Sequence, residues 1–190
     1  MEEQKKKTNW LQIISVIMIA FLILEVVLLM KQNRDLRAQI SPFTNPEMME
    51  PLKSGDHVGP IKVQSLSGVA SELSYTDPNK KYLLFVLSTT CPHCEKTLPL
   101  WQMIAQNAKP EMCSVLGISI HPFEETKKYV EQNQPNFNVV VVSDTSFKRA
   151  YKINGVPQTI LLDGNGVVEK AWMGELTTEQ INEIQKLLGG

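Results

Sequence analysis

The chain has 190 residues, a formal net charge of −1 and three cysteines. Its near-neutral balance and lack of a basic stripe give no footing for a nucleic-acid partner. Three cysteines are too few for a fold built on disulfides, so any close pair reads as reactive rather than structural.

In chain order, residues 1–9 form a short N-terminal segment carrying Lys5, Lys6 and Lys7. Residues 10–30 read as a transmembrane anchor. Seventeen of the twenty residues 11–30 are apolar, with only Gln12, Ser15 and Glu25 interrupting. At ~1.5 Å per residue that helix spans roughly 30 Å, the hydrocarbon core of a bilayer. A cleaved signal peptide is the competing reading. It calls for an apolar stretch of about 7–15 residues and a small-x-small cleavage site. Met30-Lys31-Gln32-Asn33-Arg34 follows instead, so the expectation is an uncleaved signal-anchor. Residues 31–51 read as a stalk and linker: helix continuing to residue 40, then a stretch broken by Pro42, Pro46 and Pro51.

Residues 52–190 make one domain, long enough for a real core. Beyond residue 51 there are 13 Lys/Arg and 14 Asp/Glu. Strands are expected at 61–66 and up to residue 73, at 82–87, at 114–120 and at 139–142. The run at 82–87 is nearly all apolar, as in a strand covered on both faces. Helices are expected at 92–108, with Pro99 inside and a kink there, at 122–132, and at 144–151 with Asp144 as N-cap. Segments 159–162 and 167–173 flank Asp163-Gly164-Asn165-Gly166, a hairpin signal. A last helix starts at a Thr177/Thr178 cap and ends before Gly189-Gly190. Strands alternating with helices, then a hairpin and a helix, mean an α/β fold with a mixed central sheet.

The tetrapeptide Cys91-Pro92-His93-Cys94 opens the 92–108 helix just past an apolar strand. Helix positions i and i+3 share a face, so the two sulfurs can close a bond without unwinding the backbone. Pro92 suits the first turn, where its missing N–H costs nothing. Cys91 then falls at or near the N-cap, where unpaired amides and the helix dipole favour thiolate. His93 can add positive charge and tune the couple towards a stronger oxidant. The other reading of the pair is half of a zinc site, but Cys113, His57 and His121 show no paired ligand spacing. Cys113 reads as a small core residue, His121 as a loop histidine, with a place at the active-site end of the sheet as the other reading, and Trp101 and Trp172 as core or groove residues. No cofactor is implied.

An apolar strand, C-P-H-C, a helix with Pro99, and Gly155-Val156-Pro157 before a strand and hairpin together resemble the thioredoxin fold. Leu52-Lys53-Ser54-Gly55-Asp56 and the strand pair after it resemble the redoxin branch, which includes membrane-anchored TlpA/ResA-like and MauD-like thiol–disulfide proteins. The stretch Leu87-Ser88-Thr89-Thr90-Cys91-Pro92 is similar to MauD-like proteins, and Pro92-His93 between the cysteines resembles DsbA-type oxidants. The likeness spans residues 52–188, with 121–143 as the redoxin-type insert.

The resemblance implies roles. Cys91 is the nucleophile that exchanges with a substrate disulfide or thiol, and Cys94 resolves the mixed disulfide. Pro157 is the cis-proline facing the dithiol, exposing the Val156 backbone to an extended substrate segment. The implied partners are proteins with thiols or disulfides outside the cytoplasm, plus a membrane redox partner. Basic residues tie at three on each side of the anchor, so charge gives no orientation. The redox motif and the short N-terminal segment favour a single-pass cell-membrane protein with an extracytoplasmic domain.

Departures from the pattern are clear. Phe85 stands where thioredoxins carry a buried acid, Thr90 where tryptophan is common, and Thr97 where ResA-like reductases carry glutamate; Glu95 or Glu111 are the substitutes at hand. Direction stays open: C-P-H-C leans towards oxidant, while the TlpA/ResA-like resemblance leans towards reductant, as in cytochrome c or metalloenzyme maturation. Two other functions compete. Peroxiredoxins of this branch use P-x-x-x-T-x-x-C, where this chain has Leu84 and Ser88. Copper-delivery relatives add a late histidine, and none follows His121.

Overall fold

The computed structural model describes residues 2–40, 50–142, 144 and 146–189. The proline-broken part of the expected linker, residues 41–49, lies outside them. Contacts divide the chain into two units, Met1–Met48 and Met49–Gly190. The first holds one helix, α1 (Glu2–Ile40). Its segment Gln12–Asn33, 22 residues with a mean hydropathy of 3.0, is long and apolar enough to cross a membrane. The large apolar side chains of that segment are exposed, from Ile13 to Met30. A helical segment that is apolar all round is suited to lipid.

The second unit is a seven-stranded mixed sheet flanked by helices, in the order β2-β1-β5-β4-β3-β6-β7. The strands are β1 (Ile61–Ser65), β2 (Ala70–Leu73), β3 (Lys81–Leu87), β4 (Cys113–Ser119), β5 (Asn138–Val142), β6 (Gln158–Leu162) and β7 (Val168–Met173). The helices are α2 (Pro92–Asn107), α3 (Phe123–Asn133), α4 (Ser146–Ala150) and α5 (Thr178–Leu187). β3, β4 and β5 run parallel, while β1, β2, β6 and β7 join antiparallel. The α/β reading with a mixed sheet holds, and α2 runs through Pro99 to Asn107.

The apolar run of β3 feeds two cores. Leu83, Phe85 and Leu87 face α2 and α5, together with Trp101, Ile104 and Ile184. Tyr82, Leu84 and Val86 face the opposite side, with Phe147, Tyr151 and Ile160. Each fully buried large aliphatic side chain stabilises the fold by about 1.5–3 kcal/mol, so a strand covered on both faces cannot afford a polar position. The hairpin closes as its sequence dictates: Asp163 Oδ1 accepts from Asn165 N–H and Val167 N–H, each at 2.9 Å. β7 begins at Val168, one residue later than expected, with a register shift at Leu161/Leu162, and Val167 bridges His57.

Register places the site. Leu87 pairs with Ser119, and Val86 with Gln158. The segments that follow β3 and β4, and the one that precedes β6, therefore meet at one end of the sheet.

Candidate active site

Cys91 is the N-cap of α2, in extended backbone at φ −96° and ψ 111°, with Pro92 opening the helix. The Cys94 N–H donates to the Cys91 carbonyl at 3.0 Å and lies 3.4 Å from its Sγ, which also accepts from it. Cys91 is partly exposed, Cys94 is wholly buried, and both are free thiols. Burial pushes the Cys94 thiol up to about 12, and the Cys91 side chain adds to the rise. The pair is thus asymmetric: one sulfur is reachable and touched by an amide donor, the other is sheltered and holds its proton.

Val156 and Pro157 arrive opposite this helix end. The Val156–Pro157 peptide bond is cis, and the Cys91 S–H donates to the Val156 carbonyl at 3.6 Å. The Val156 backbone therefore stands beside the reachable sulfur. His93 is exposed, and its Nδ1 sits 2.6 Å from Glu175 Oε1. Lys96 reaches the same oxygen at 3.7 Å. The hydrogen bond from His93, then the Lys96 charge, hold the Glu175 carboxyl below its ordinary range. Glu175 lies 82 residues from His93 in sequence, and no local pattern pointed to it.

The positions that lack an acid are occupied structurally. Phe85 stacks on Trp101 with centroids 4.9 Å apart and planes at 14°. Trp101 is fixed in turn by its Nε1–H, which donates to Thr159 Oγ1 at 2.9 Å. Thr97 donates its hydroxyl to the His93 carbonyl at 2.9 Å. Glu95 and Glu111 are both exposed, so neither is buried beside Cys94. The Tyr129 hydroxyl is buried in the same cluster as Cys94, without a hydrogen-bond partner among the described residues.

His121 does more than the sequence suggested. Its Nε2 is 3.0 Å from Ser88 Oγ, and its Nδ1 lies 2.7 Å from Thr89 Oγ1 and 2.9 Å from Glu125 Oε2. The signal for half of this was present, since His121 and Glu125 are four residues apart at the start of a predicted helix. The link to Ser88 depends on β3–β4 pairing, which local sequence does not display.

Cys113 lies apart. It pairs with Lys81 at the start of β3, the opposite end from Cys91, and burial pushes its thiol up to about 11. Among the described residues no three His, Cys, Asp or Glu side chains gather as a metal site.

Comparison with known proteins fits this geometry. The chain is 26% identical over 116 residues to sporulation thiol-disulfide oxidoreductase A of Bacillus subtilis, covering 59% of this chain and 70% of that protein. It is 23% identical over 137 residues to thiol-disulfide oxidoreductase ResA of Halalkalibacterium halodurans, covering 72% of this chain and 77% of that one. Among solved structures, StoA from Bacillus subtilis superposes with a TM-score of 0.55 at 21% identity, over 66% of this chain and 96% of its own. A thiol:disulfide interchange protein from Bacteroides sp. gives 0.62 at 24% identity, over 73% and 92%. The solved neighbours share the thioredoxin-like fold that the C-P-H-C context implied. The AhpC/TSA family model matches residues 54–171, more than half of the chain, and the protein belongs to the AhpC/TSA family.

Proposed function

We propose that the chain is a thiol–disulfide oxidoreductase of the ResA/StoA type, tethered to a membrane and exchanging disulfides with extracytoplasmic protein thiols through Cys91 and Cys94. Its relatives are named for thiol–disulfide exchange, and one observation in the chain itself carries the reading. A partly exposed helix-capping sulfur accepts the N–H of a buried cysteine one turn further in.

In the reductive direction the Cys91 thiolate attacks a substrate disulfide sulfur, forming a mixed disulfide and releasing one substrate thiolate. Cys94 then gives up its proton and attacks the Cys91 sulfur. The Cys91–Cys94 disulfide forms, the second substrate thiolate leaves, and the enzyme has passed two electrons to its substrate. A membrane redox partner returns them. Run backwards, the same steps oxidise a substrate dithiol. Pro92 holds the helix start, His93 modulates charge near the sulfur, and Val156 with Pro157 offers backbone to an extended substrate segment.

Residues 10–30 serve as the anchor, 31–51 as stalk and linker, and 52–190 as the catalytic domain on the extracytoplasmic side. The reductive direction suits a step in cytochrome c or metalloenzyme maturation.

The test is Cys94→Ser in cells: substrates accumulate as mixed disulfides on Cys91 and can be identified after alkylation. Equilibration with glutathione then fixes the direction, a strongly negative potential marking a reductant. Recovery of no mixed disulfide, with peroxide consumption or tight Cu(I) binding in its place, would replace this reading with a peroxidase or a copper carrier.

A further inference from the structure

The hydrogen bonds around His121 form a chain that ends on the segment carrying the nucleophile. Glu125 can only accept, so the proton between it and His121 belongs on Nδ1, where Thr89 Oγ1 shares it. In the neutral ring Nε2 is then an acceptor, and the Ser88 hydroxyl donates to it at 3.0 Å. Ser88 Oγ also accepts from the Thr90 N–H at 3.4 Å, while the Ser88 carbonyl accepts from the Cys91 N–H at 3.3 Å. One residue, Ser88, therefore links the imidazole to the backbone on both sides of Thr90 and to Cys91 itself.

The far side of the network is fixed as well. Ser119 Oγ lies 2.7 Å from Thr126 Oγ1 in a buried pair, and the His121 N–H donates to Ser119 Oγ at 3.2 Å. Strand β4 and the first turn of α3 thus hold the His121 backbone in place. The Glu–His–Ser order mimics a hydrolytic triad, but Ser88 is only 7% exposed and its hydroxyl meets the loop rather than a substrate.

We infer that His121, oriented by Glu125 and acting through Ser88, is a positioning residue for the Cys91 sulfur that makes its reactivity respond to pH. When the ring takes a proton from solvent, Nε2 turns from acceptor to donor towards Ser88 Oγ. The Ser88 hydroxyl must then rotate, and Thr90 Oγ1, 3.3 Å away, is the acceptor within reach. The bonds that set the loop before Cys91 change partners, and a positive charge appears on the ring that Ser88 links to Cys91, whose sulfur must carry negative charge in exchange. The groups that share His121's surroundings are Glu125 on α3, Ser88 and Thr89 after β3, and Asp144, Lys148 and the neutral Gln64, which border the same cavity of about 380 Å³. The two charges from the α4 side are of opposite sign.

This inference rests on the exchange reading of Cys91. Its test uses the full chain in detergent micelles, comparing the rate of Cys91 alkylation by iodoacetamide from pH 5.5 to 8.5 in wild type and His121→Gln, with the labelled peptide quantified by mass spectrometry. Gln can still bond to Ser88 but carries no charge. Wild type is expected to react about three- to five-fold faster at pH 5.5, the ratio closing towards one by pH 8.5 as the charged form of the ring gives way to the neutral one. Glu125→Gln, a surface change that spares the fold, shifts the ratio in the same direction by a smaller factor. A ratio that stays flat across the interval describes a merely structural histidine and overturns the inference. Wild type that fails to exchange with glutathione sinks the exchange reading as well; intact exchange with a flat ratio sinks this inference alone.

Discussion

Two helices of the domain begin in different ways. At α5, Thr177 accepts from the Gln180 N–H at 3.3 Å, and the Gln180 side chain accepts from the Thr177 N–H at 2.9 Å, a reciprocal box. At α2 the cap is the Cys91 sulfur, a poorer acceptor, reached by the Cys94 N–H at 3.4 Å. The first arrangement satisfies donors for stability. The second leaves the positive end of a helix facing a sulfur, a placement that favours thiolate. A thiol stands in for a strong cap at one helix start and not at the other, so, with Cys91 in the proposed exchange role, substitutions at the two starts should divide between activity and stability.

The largest effect is expected at the reactive cap. Cys91→Ala should lower disulfide exchange with glutathione on the order of a thousand-fold or more while the protein stays folded; near-normal turnover would remove the sulfur from the mechanism. Cys94→Ser should leave the first attack intact and stop the cycle after one event, seen as a single equivalent of mixed disulfide by intact-mass measurement. Between the two helices lies the packing that aims α2. Trp101→Ala should cost about 3–5 kcal/mol in denaturant unfolding, because it empties a core site and leaves Thr159 without its donor.

The pH dependence of stability follows from the buried thiols. Burial holds Cys94 up to about 12 and Cys113 up to about 11 in the fold, against an ordinary value of ~8.5 in the unfolded chain. Below that ordinary value both states keep the protons, and the full stability is present. Above it the unfolded chain loses protons first, so stability of the reduced protein falls as pH rises, by about 1 kcal/mol per thiol near pH 9.5. A reduced protein equally stable at pH 8 and 9.5 would contradict the burial of these sulfurs. The smallest effect belongs to the ordinary cap: Thr177→Ala should cost about 1 kcal/mol with exchange rates unchanged.

The sequence made visible what local patterns encode. The apolar run of β3, the turn at Asp163–Gly166, the Thr177 cap and the C-P-H-C helix start all rest on neighbours in sequence, and each element formed within a residue or two of its expected bounds. The placement of Cys91, Pro92 and Cys94 at a helix start was readable for the same reason. Contacts that depend on sheet register were not. Glu175 meets His93 across 82 residues, and His121 meets Ser88 across 33. His121 looked like a loop histidine because nothing local shows that β4 ends beside β3. The missing acid near Cys94 was legible as an absence, whereas the stacking of Phe85 on Trp101 that fills its place appears only once β3 and α2 are packed together.

The proposed chemistry needs one reachable sulfur with a buried partner one turn away and a third thiol kept at the far end of β3. Disulfide mapping of the full chain after equilibration in glutathione buffers of rising oxidation tests it most directly. The expected result is one reversible intramolecular bond, Cys91 to Cys94, with Cys113 free throughout. A bond that includes Cys113, or three thiols still free in strongly oxidising buffer, would contradict it.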